Sequence, residues 1–360
     1  MGSERVRIGF VGAGNISRIQ HLPGIKKAEG AELVVVSNRS KESGQAIAKD
    51  FDVPEVETDW RSLVARDDLD AIFIGTWPYM HKEMAVAVLE AGKHCFTQAR
   101  MAMNLDEAKA MLASAEAHPH LVSMICPAPS PCRPFLERVM AEGRLGDITS
   151  VELSIISGDN LDAKKIHWRE QIEYSGRQAM WLGVFTETLH RVVGPYEMLS
   201  AQKSIPIPAK KLVSGQSIEI DIPQVITVTG KLENGGLGLE HHSALAVDAS
   251  SRCDQIIIRG LDGTIRHDFG ETVEMAGPGE ELRQKNVPEN LKFSWTVEQE
   301  FIDAVRCAKR GEWPTAKELL RKGAGKPVNI DFLEGLAYMR KIEAVHLSAE
   351  TSKVIRPADL

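Results

Sequence analysis

The segment Val6-Arg7-Ile8-Gly9-Phe10-Val11-Gly12-Ala13-Gly14-Asn15-Ile16-Ser17 passes from an apolar strand pattern into a glycine-rich turn and then a helical pattern. That order suits a pyrophosphate. Gly12 allows a tight turn, Gly14 lets the backbone approach the ligand, and the helix N-terminus supplies N–H donors and positive potential. Ser17 replaces the third glycine of a dinucleotide fingerprint and is still small enough for close helix–strand packing. Gly12, Ala13, Gly14, Asn15 and Ile16 are therefore the expected dinucleotide-binding residues. The next strand pattern ends in Ser37-Asn38-Arg39-Ser40. An NAD site usually has an acidic residue there for the ribose 2′-OH. Asn38 is not acidic, and Arg39 with Ser40 suits a 2′-phosphate through charge-assisted hydrogen bonds. The expected cofactor is NADP or NAD, with NADP preferred. No metal is expected. The five cysteines form no Cys-x-x-Cys pair, and His241 and His242, adjacent on a strand, must face opposite sides.

The elements that must position these residues follow from the pattern of apolar side chains. The first 125 residues alternate short apolar runs (6–11, 33–37, 71–75, 94–97, 121–125) with helical stretches near 15–29, 41–51, 59–66, 79–91 and 104–117. Strands separated by helices imply a parallel, doubly wound Rossmann sheet with right-handed crossovers. Pro127-Ala128-Pro129-Ser130-Pro131 cannot feed a central strand. The expected boundary lies there, with a dinucleotide domain over 1–126 and a substrate and oligomerisation domain over 127–360. Beyond it a helix (132–143) precedes β-rich stretches at 148–157, 211–218, 225–233, 236–247 and 254–260. A helical segment (166–194) interrupts them, and helices near 295–310 and 331–349 close the chain. Glycine-rich turns at Asn234-Gly235-Gly236 and Asp262-Gly263 read as hairpins. The second domain is expected to be α+β with a large, open, mostly antiparallel sheet.

With 360 residues the chain can bury more than one core, and its 43% hydrophobic and 26% charged content is that of a soluble globular protein. A net charge of −7 argues against a nucleic-acid partner. No apolar run approaches a membrane span. The start Met1-Gly2-Ser3-Glu4-Arg5-Val6 has neither a signal-peptide core nor a myristoylation pattern. A cytoplasmic protein with reduced thiols is expected.

Gly92-Lys93-His94-Cys95-Phe96-Thr97-Gln98-Ala99-Arg100-Met101-Ala102 resembles a segment of the glucose-fructose oxidoreductase / inositol dehydrogenase (Gfo/Idh/MocA) family that reads Gly-Lys-His-Val-x-x-Glu-Lys-Pro-Met-Ala. Ile74-Gly75-Thr76-Trp77-Pro78-Tyr79-Met80-His81 resembles the family's Ala-Thr-Pro-Asn-x-x-His, and Trp168-Arg169 a recurrent pair near the nicotinamide. Phe301-Ile302-Asp303-Ala304 and the run from Glu343 to Ala349 resemble its closing pattern. The resemblance implies hydride transfer at a hydroxyl of a sugar, cyclitol or related polyol. It also implies a homodimer or homotetramer and cofactor contacts from Thr76, Trp77, His81, Gln98, Trp168 and Arg169.

The family's proton-handling groups, a lysine and an Asp-x-x-x-His pair, are replaced. Ala99 stands at the lysine, Trp181 at the aspartate and Phe185 at the histidine. None exchanges a proton with an alkoxide, and losing such assistance costs about 10²–10⁴ in rate. His81, Tyr174 and Arg177 are the foremost candidates to act instead, with Tyr79, Glu187, His190 and His241-His242 behind them. Trp181 and Phe185, four apart on one helix face, would stack on a sugar or aromatic ring. Arg100 reads either as an anion-binding group or as a surface arginine. Three functions stay open: an oxidoreductase with a rebuilt active site, a redox-neutral glycosidase or lyase, and a dinucleotide-binding sensor without turnover.

Overall fold

The computed structural model describes residues 5–162, 164–312 and 330–360. Most of the N-terminal start read above (residues 1–4) lies outside them. The chain divides into two compact units, Met1–Pro127 with Trp295–Ala337, and Ala128–Ser294 with Tyr338–Leu360.

The first unit is a seven-stranded sheet. Its strands are β1 (Val6–Val11), β2 (Ala31–Ser37), β3 (Glu55–Glu57), β4 (Ala71–Ile74), β5 (His94–Thr97), β6 (Ser123–Ile125) and, from far along the chain, β17 (Ile330–Asp331). The order is β17-β6-β5-β4-β1-β2-β3. All pairs are parallel except β17 with β6. Every residue of β4 and of β5 is buried, because a parallel sheet covered on both faces needs continuous apolar runs. The short β3, with its Glu-Val-Glu sequence at the sheet edge, carried no apolar signal. Phe10, Phe73 and Phe96 stack in series, with centroids 5.9 and 4.5 Å apart. Phe301, on the helix Val297–Arg310, meets Phe73 and Phe96 edge-on at 5.1 and 5.6 Å. Each fully buried phenylalanine stabilises the fold by roughly 1.5–3 kcal/mol.

The second unit holds β7 (Ile148–Ile156), β8 (Tyr196–Ser204), β9 (Ala209–Lys211), β10 (Ser217–Glu219), β11 (Val225–Leu232), β12 (Leu237–Ser243), β13 (Cys253–Gly260), β14 (Thr264–His267), β15 (Val273–Ala276) and β16 (Arg283–Lys285). Its main sheet runs β16-β15-β14-β13-β7-β12-β11-β8 and is antiparallel except between β7 and β12. The hairpins expected at Asn234–Gly236 and Asp262-Gly263 join β11 to β12 and β13 to β14. One sheet face is buried through Val151, Leu153 and Ile155, Ile226 and Val228, and Ile256 and Ile258, and the other leaves Leu237 and Leu239 exposed.

Two expectations are corrected. The stretch 211–218 is not one strand: Leu212 N–H donates to Gln216 O (2.9 Å), turning the chain between β9 and β10. The segment 166–194 is not one helix. A 3-10 turn (Trp168–Glu170) and a short helix (Ile172–Ser175) end at Gly176, whose φ is +61°, and the helix Leu182–Val193 starts afresh.

Within the second unit's core, Lys341 Nζ donates to Glu240 Oε2 (2.7 Å) and Thr186 Oγ1 (2.9 Å), and His242 Nε2 lies 2.9 Å from Glu240 Oε2. His242 is fully buried, whereas His241 lies on the opposite face of β12 and is partly exposed.

Candidate dinucleotide and substrate sites

In the first unit the glycine-rich turn is held from several sides. Gly12 has φ +77°, and its N–H donates to Ser37 O (2.9 Å). A Cβ at Gly12 would collide with Thr76, including its backbone nitrogen at 2.9 Å, whereas one at Gly14 would meet nothing within 4 Å. The space above Gly14 is thus open to a ligand, and the helical turn carrying Asn15 and Ile16 follows, both exposed. Ala13 N–H donates to Asn38 Oδ1 (2.7 Å), so Asn38 braces the turn. Ser40 caps the helix Lys41–Phe51 by accepting from Ser43 N–H (3.3 Å), and Arg39 is exposed. Ser17 is buried, and a Cβ at Gly75 would lie 2.6 Å from its hydroxyl, which is the close packing expected of a small residue.

After β4, Trp77 is exposed and Thr76 half-buried. His81 is fully buried. Its Nδ1 lies 2.8 Å from Arg100 O and 3.2 Å from Met101 O, and its Nε2 3.0 Å from Thr76 O. Burial lowers its pKa against the opposing pull of those carbonyls. The ring therefore ties the turn after β4 to the turn after β5. Gln98 Oε1 accepts from Ala99 N–H (3.1 Å) and lies 3.1 Å from His21 Nε2, while His21 Nδ1 lies 2.6 Å from Glu298 Oε1. The Ala99–Arg100 peptide is cis. Arg100 is only 3% exposed, so its reading as a surface arginine is corrected.

In the second unit, Arg169 is held between two indoles. Its guanidinium carbon lies 4.3 Å from the Trp168 ring centroid and 4.4 Å from that of Trp181, close enough for cation–π attraction on both sides. Burial pulls its pKa down to about 10, partly opposed by Asp159. His167 Nδ1 accepts from Arg169 N–H (3.2 Å), and Glu170 Oε2 accepts from His167 N–H (2.9 Å), closing a capping box around this turn. Lys210 of β9, itself buried, pairs with buried Glu170 at 2.5 Å and fixes the turn from behind. A cavity of about 280 Å³ opens beside it, lined by Ser157, Asp159, Asn160, His167, Arg169 and Trp181 among others.

Residues 6–125 match the description of an oxidoreductase family with an NAD-binding Rossmann fold, GFO_IDH_MocA. Residues 6–125 are thus similar to the NAD-binding domain of the Gfo/Idh/MocA family. Over 107 residues it is 34% identical to 4-carboxy-2-hydroxymuconate-6-semialdehyde dehydrogenase of Sphingobium sp., a match covering 30% of this chain and 34% of that protein. Over 191 residues it is 27% identical to levoglucosan dehydrogenase of Pseudarthrobacter phenanthrenivorans, covering 50% of this chain and 47% of the other. These matches thus span about a third to a half of the length of those relatives. Among solved structures, an oxidoreductase domain protein from Kribbella flavida superposes with a TM-score of 0.83 at 20% identity, over 98% of both chains. Levoglucosan dehydrogenase in complex with NADH and levoglucosan superposes with a TM-score of 0.80 at 19% identity, over 98% of this chain and 99% of the other. At those identities the likeness is one of fold.

The residues expected to act as proton carriers lie in separate places. Arg177 lies apart from the Trp181 cavity. It pairs with Glu350 (3.1 Å) and Glu343 (3.5 Å) and lines a different cavity of about 300 Å³ with Lys203, Asp221 and His346. Tyr174, in the short helix before the break at Gly176, lines neither cavity. The pairing of Trp181 with Phe185 is also divided. Phe185 N–H donates to Trp181 O (3.2 Å), but the Phe185 ring packs edge-on against Phe269 at 4.8 Å, while Trp181 turns to Arg169. Glu187 accepts from Ala128 N–H (2.8 Å) and lies 3.3 Å from Arg191. Burial drives the His190 pKa down to about 3. Glu187 is buried and His190 half-buried. Asp159 and Asn160 went unnoticed in the sequence. Ser157-Gly158-Asp159-Asn160 is a polar turn directly after β7, and that turn was the one available signal.

Proposed function

We propose that this protein is an NAD(P)-dependent oxidoreductase acting on CH–OH groups, moving a hydride between its cofactor and a sugar, cyclitol or related polyol. The observation that carries the reading is the braced turn with open space over Gly14. The pyrophosphate would lie across Gly12, Ala13, Gly14, Asn15 and Ile16. Arg39, exposed at the end of β2 with no acidic neighbour at Asn38, supports NADP over NAD. A bound nicotinamide supplies hydride chemistry. The chain's part in the first unit is to hold it through Thr76, Trp77 and Gln98. His81 acts here as a positioning residue, because both of its ring nitrogens face backbone carbonyls.

Exposed Leu237 and Leu239 on the open sheet face support a homodimer or homotetramer. No described helix is long and apolar enough to cross a membrane, which is compatible with a cytoplasmic enzyme.

The test is to release cofactor from the purified protein by denaturation, identify it by mass, and titrate NADPH and NADH into the emptied protein. Binding of neither form would end this reading. Arg39→Ala is expected to reduce NADPH affinity about tenfold and leave NADH affinity near its starting value, in line with loss of one charge-assisted hydrogen bond of roughly 1.5–3 kcal/mol. The replacement of all three proton groups by Ala99, Trp181 and Phe185 favours a second reading, a dinucleotide-binding sensor. Any polyol-dependent change in nicotinamide absorbance rules that out. Stoichiometric cofactor retained through purification would favour a redox-neutral glycosidase or lyase cycle.

A further inference from the structure

We propose that His21 and Glu298 form a buried imidazolium–carboxylate pair that locks the Gln98 side-chain amide in one orientation, leaving its N–H₂ group to donate to the dinucleotide. His21 is thereby a positioning residue, acting through Gln98. The role of Gln98 rests on the cofactor reading above, whereas the charge on His21 does not.

The pair is closed off from water. His21 is 1% exposed and Glu298 2%. The imidazole meets Phe96 edge-on at 5.4 Å and lies tilted to Trp295 at 6.2 Å. Trp295 Nε1 donates to both Glu298 oxygens, at 3.2 and 3.0 Å. Gly24 makes room for the carboxylate, since a Cβ there would collide with Glu298 Oε2.

Counting donors places the hydrogens. His21 Nδ1 lies 2.6 Å from Glu298 Oε1, and its Nε2 lies 3.1 Å from Gln98 Oε1. The same Gln98 oxygen accepts from Ala99 N–H (3.1 Å). A backbone N–H can only donate, so the Gln98 atom facing it is the oxygen and not the –NH₂. That oxygen can only accept, so His21 Nε2 carries a hydrogen. At 2.6 Å the other ring nitrogen and the carboxylate also share one, because two bare lone pairs do not approach so closely. The two Trp295 contacts favour the ionised carboxylate, which leaves the shared hydrogen on Nδ1. A neutral imidazole would set lone pair against lone pair at one end of the ring.

Two hydrogens fill both lone pairs of Gln98 Oε1. Turning the amide over would set –NH₂ against two donors, so –NH₂ keeps the other position. Gln98 follows the C-terminal end of β5 as the glycine-rich turn follows that of β1, with β4 between them. A dinucleotide lies along that edge of a parallel sheet. Two strand spacings set half-buried Gln98 roughly 10 Å from the turn, within the span of such a ligand. A donor held in place before binding loses less entropy on binding.

The test first reads the charge. Nitrogen-15 spectra of the histidine rings are recorded on the full-length protein, free of cofactor and at neutral pH, with His21 assigned through its contacts to Phe96 and Trp295. Two protonated ring nitrogens are expected at His21, against one each at His94 and His346, whose burial holds them neutral. One protonated nitrogen at His21 overturns the pair. NADPH affinity is then measured by calorimetry. Gln98→Leu and His21→Leu should each weaken binding about tenfold. The double variant should bind no more weakly than Gln98→Leu alone, and additive losses overturn the action through Gln98. Glu298→Gln keeps a donor for Nδ1, so a neutral ring with its hydrogen on Nε2 still holds Gln98. That variant should show one protonated nitrogen and near-original affinity, and a loss as large as that of His21→Leu overturns the positioning role. If His21→Leu does not fold, the ring spectrum and Glu298→Gln decide. Failure of NADPH to bind the unsubstituted protein ends the cofactor reading and the role of Gln98 together, while the ring spectrum still reports the charge.

Discussion

In the first unit, polar side chains around the glycine-rich turn are bound to the protein itself. Asn38 grips Ala13, His81 faces the carbonyls of Thr76 and Arg100, and Gln98 connects through His21 to Glu298. In the second unit, Asp159, Asn160 and Arg169 line a cavity, and Arg169 Nε is buried there with no hydrogen-bond partner among the described residues. The difference separates two duties. A cradle for a dinucleotide gains from rigidity, since geometry fixed before binding loses less entropy on binding. A cavity lined by an unpartnered guanidinium nitrogen gains from a ligand that can accept from it.

Four measurements break or sharpen that comparison. The largest effect belongs to Lys210. Lys210→Ala leaves the buried Glu170 carboxylate without its cation, with only the His167 N–H among the described residues still donating to it, so thermal or urea unfolding should show a loss of about 3–5 kcal/mol. The Trp168–Arg169–Trp181 stack should loosen with it, visible as a change in indole fluorescence. Gly12→Ala is next. It forces a Cβ into Thr76 at positive φ, and backbone strain of roughly 1–3 kcal/mol predicts a 10–100-fold loss of NADPH affinity by calorimetry with the second unit unaffected. Asn38→Ala removes one brace and should weaken NADPH binding by roughly fivefold, the equivalent of about 1 kcal/mol. Equal NADPH affinity in Asn38→Ala would show that the turn is rigid without its brace.

The fourth is a pH series. Burial, the largest cause in each case, pulls His94 and His346 down to about 4 and His190 to about 3, from an ordinary value of 6.5. Their neutral forms are favoured in the folded chain. The stability they contribute is fully present above pH 6.5 and is lost as pH falls towards 4 and below. Urea midpoints should therefore decline between pH 6.5 and 4, and His346→Gln should flatten the decline. An unchanged slope in that variant would remove His346 from the account.

The glycine-rich turn was legible because its signal is local: two glycines, a strand before and a helix after. The parallel sheet was legible because burial on both faces leaves unbroken apolar runs such as Ala71-Ile72-Phe73-Ile74. The edge strands β3 and β16 were not, since Glu-Val-Glu and Arg-Gln-Lys carry no alternation. Arg177 was misplaced for a different reason. One continuous helix over 166–194 would set it a turn before Trp181, but the break at Gly176 and the positive φ of Met180 (+48°) redirect the chain. Asp159 belongs to no motif. It reaches the cavity through the end of β7, a placement set by sheet pairing with β12 and β13 many residues away.

The return of Trp295–Ala337 to the first unit has a consequence for biosynthesis. Phe301 completes the aromatic stack on Phe73 and Phe96, and Glu298 meets His21, so the unit begun by residues up to 127 lacks part of its interior until residue 301 has been made. At about 5–20 residues per second, a nascent chain that has reached residue 127 waits on the order of ten seconds or more for that segment. During that interval the faces of Phe73 and Phe96 that Phe301 will cover offer an apolar surface to chaperones.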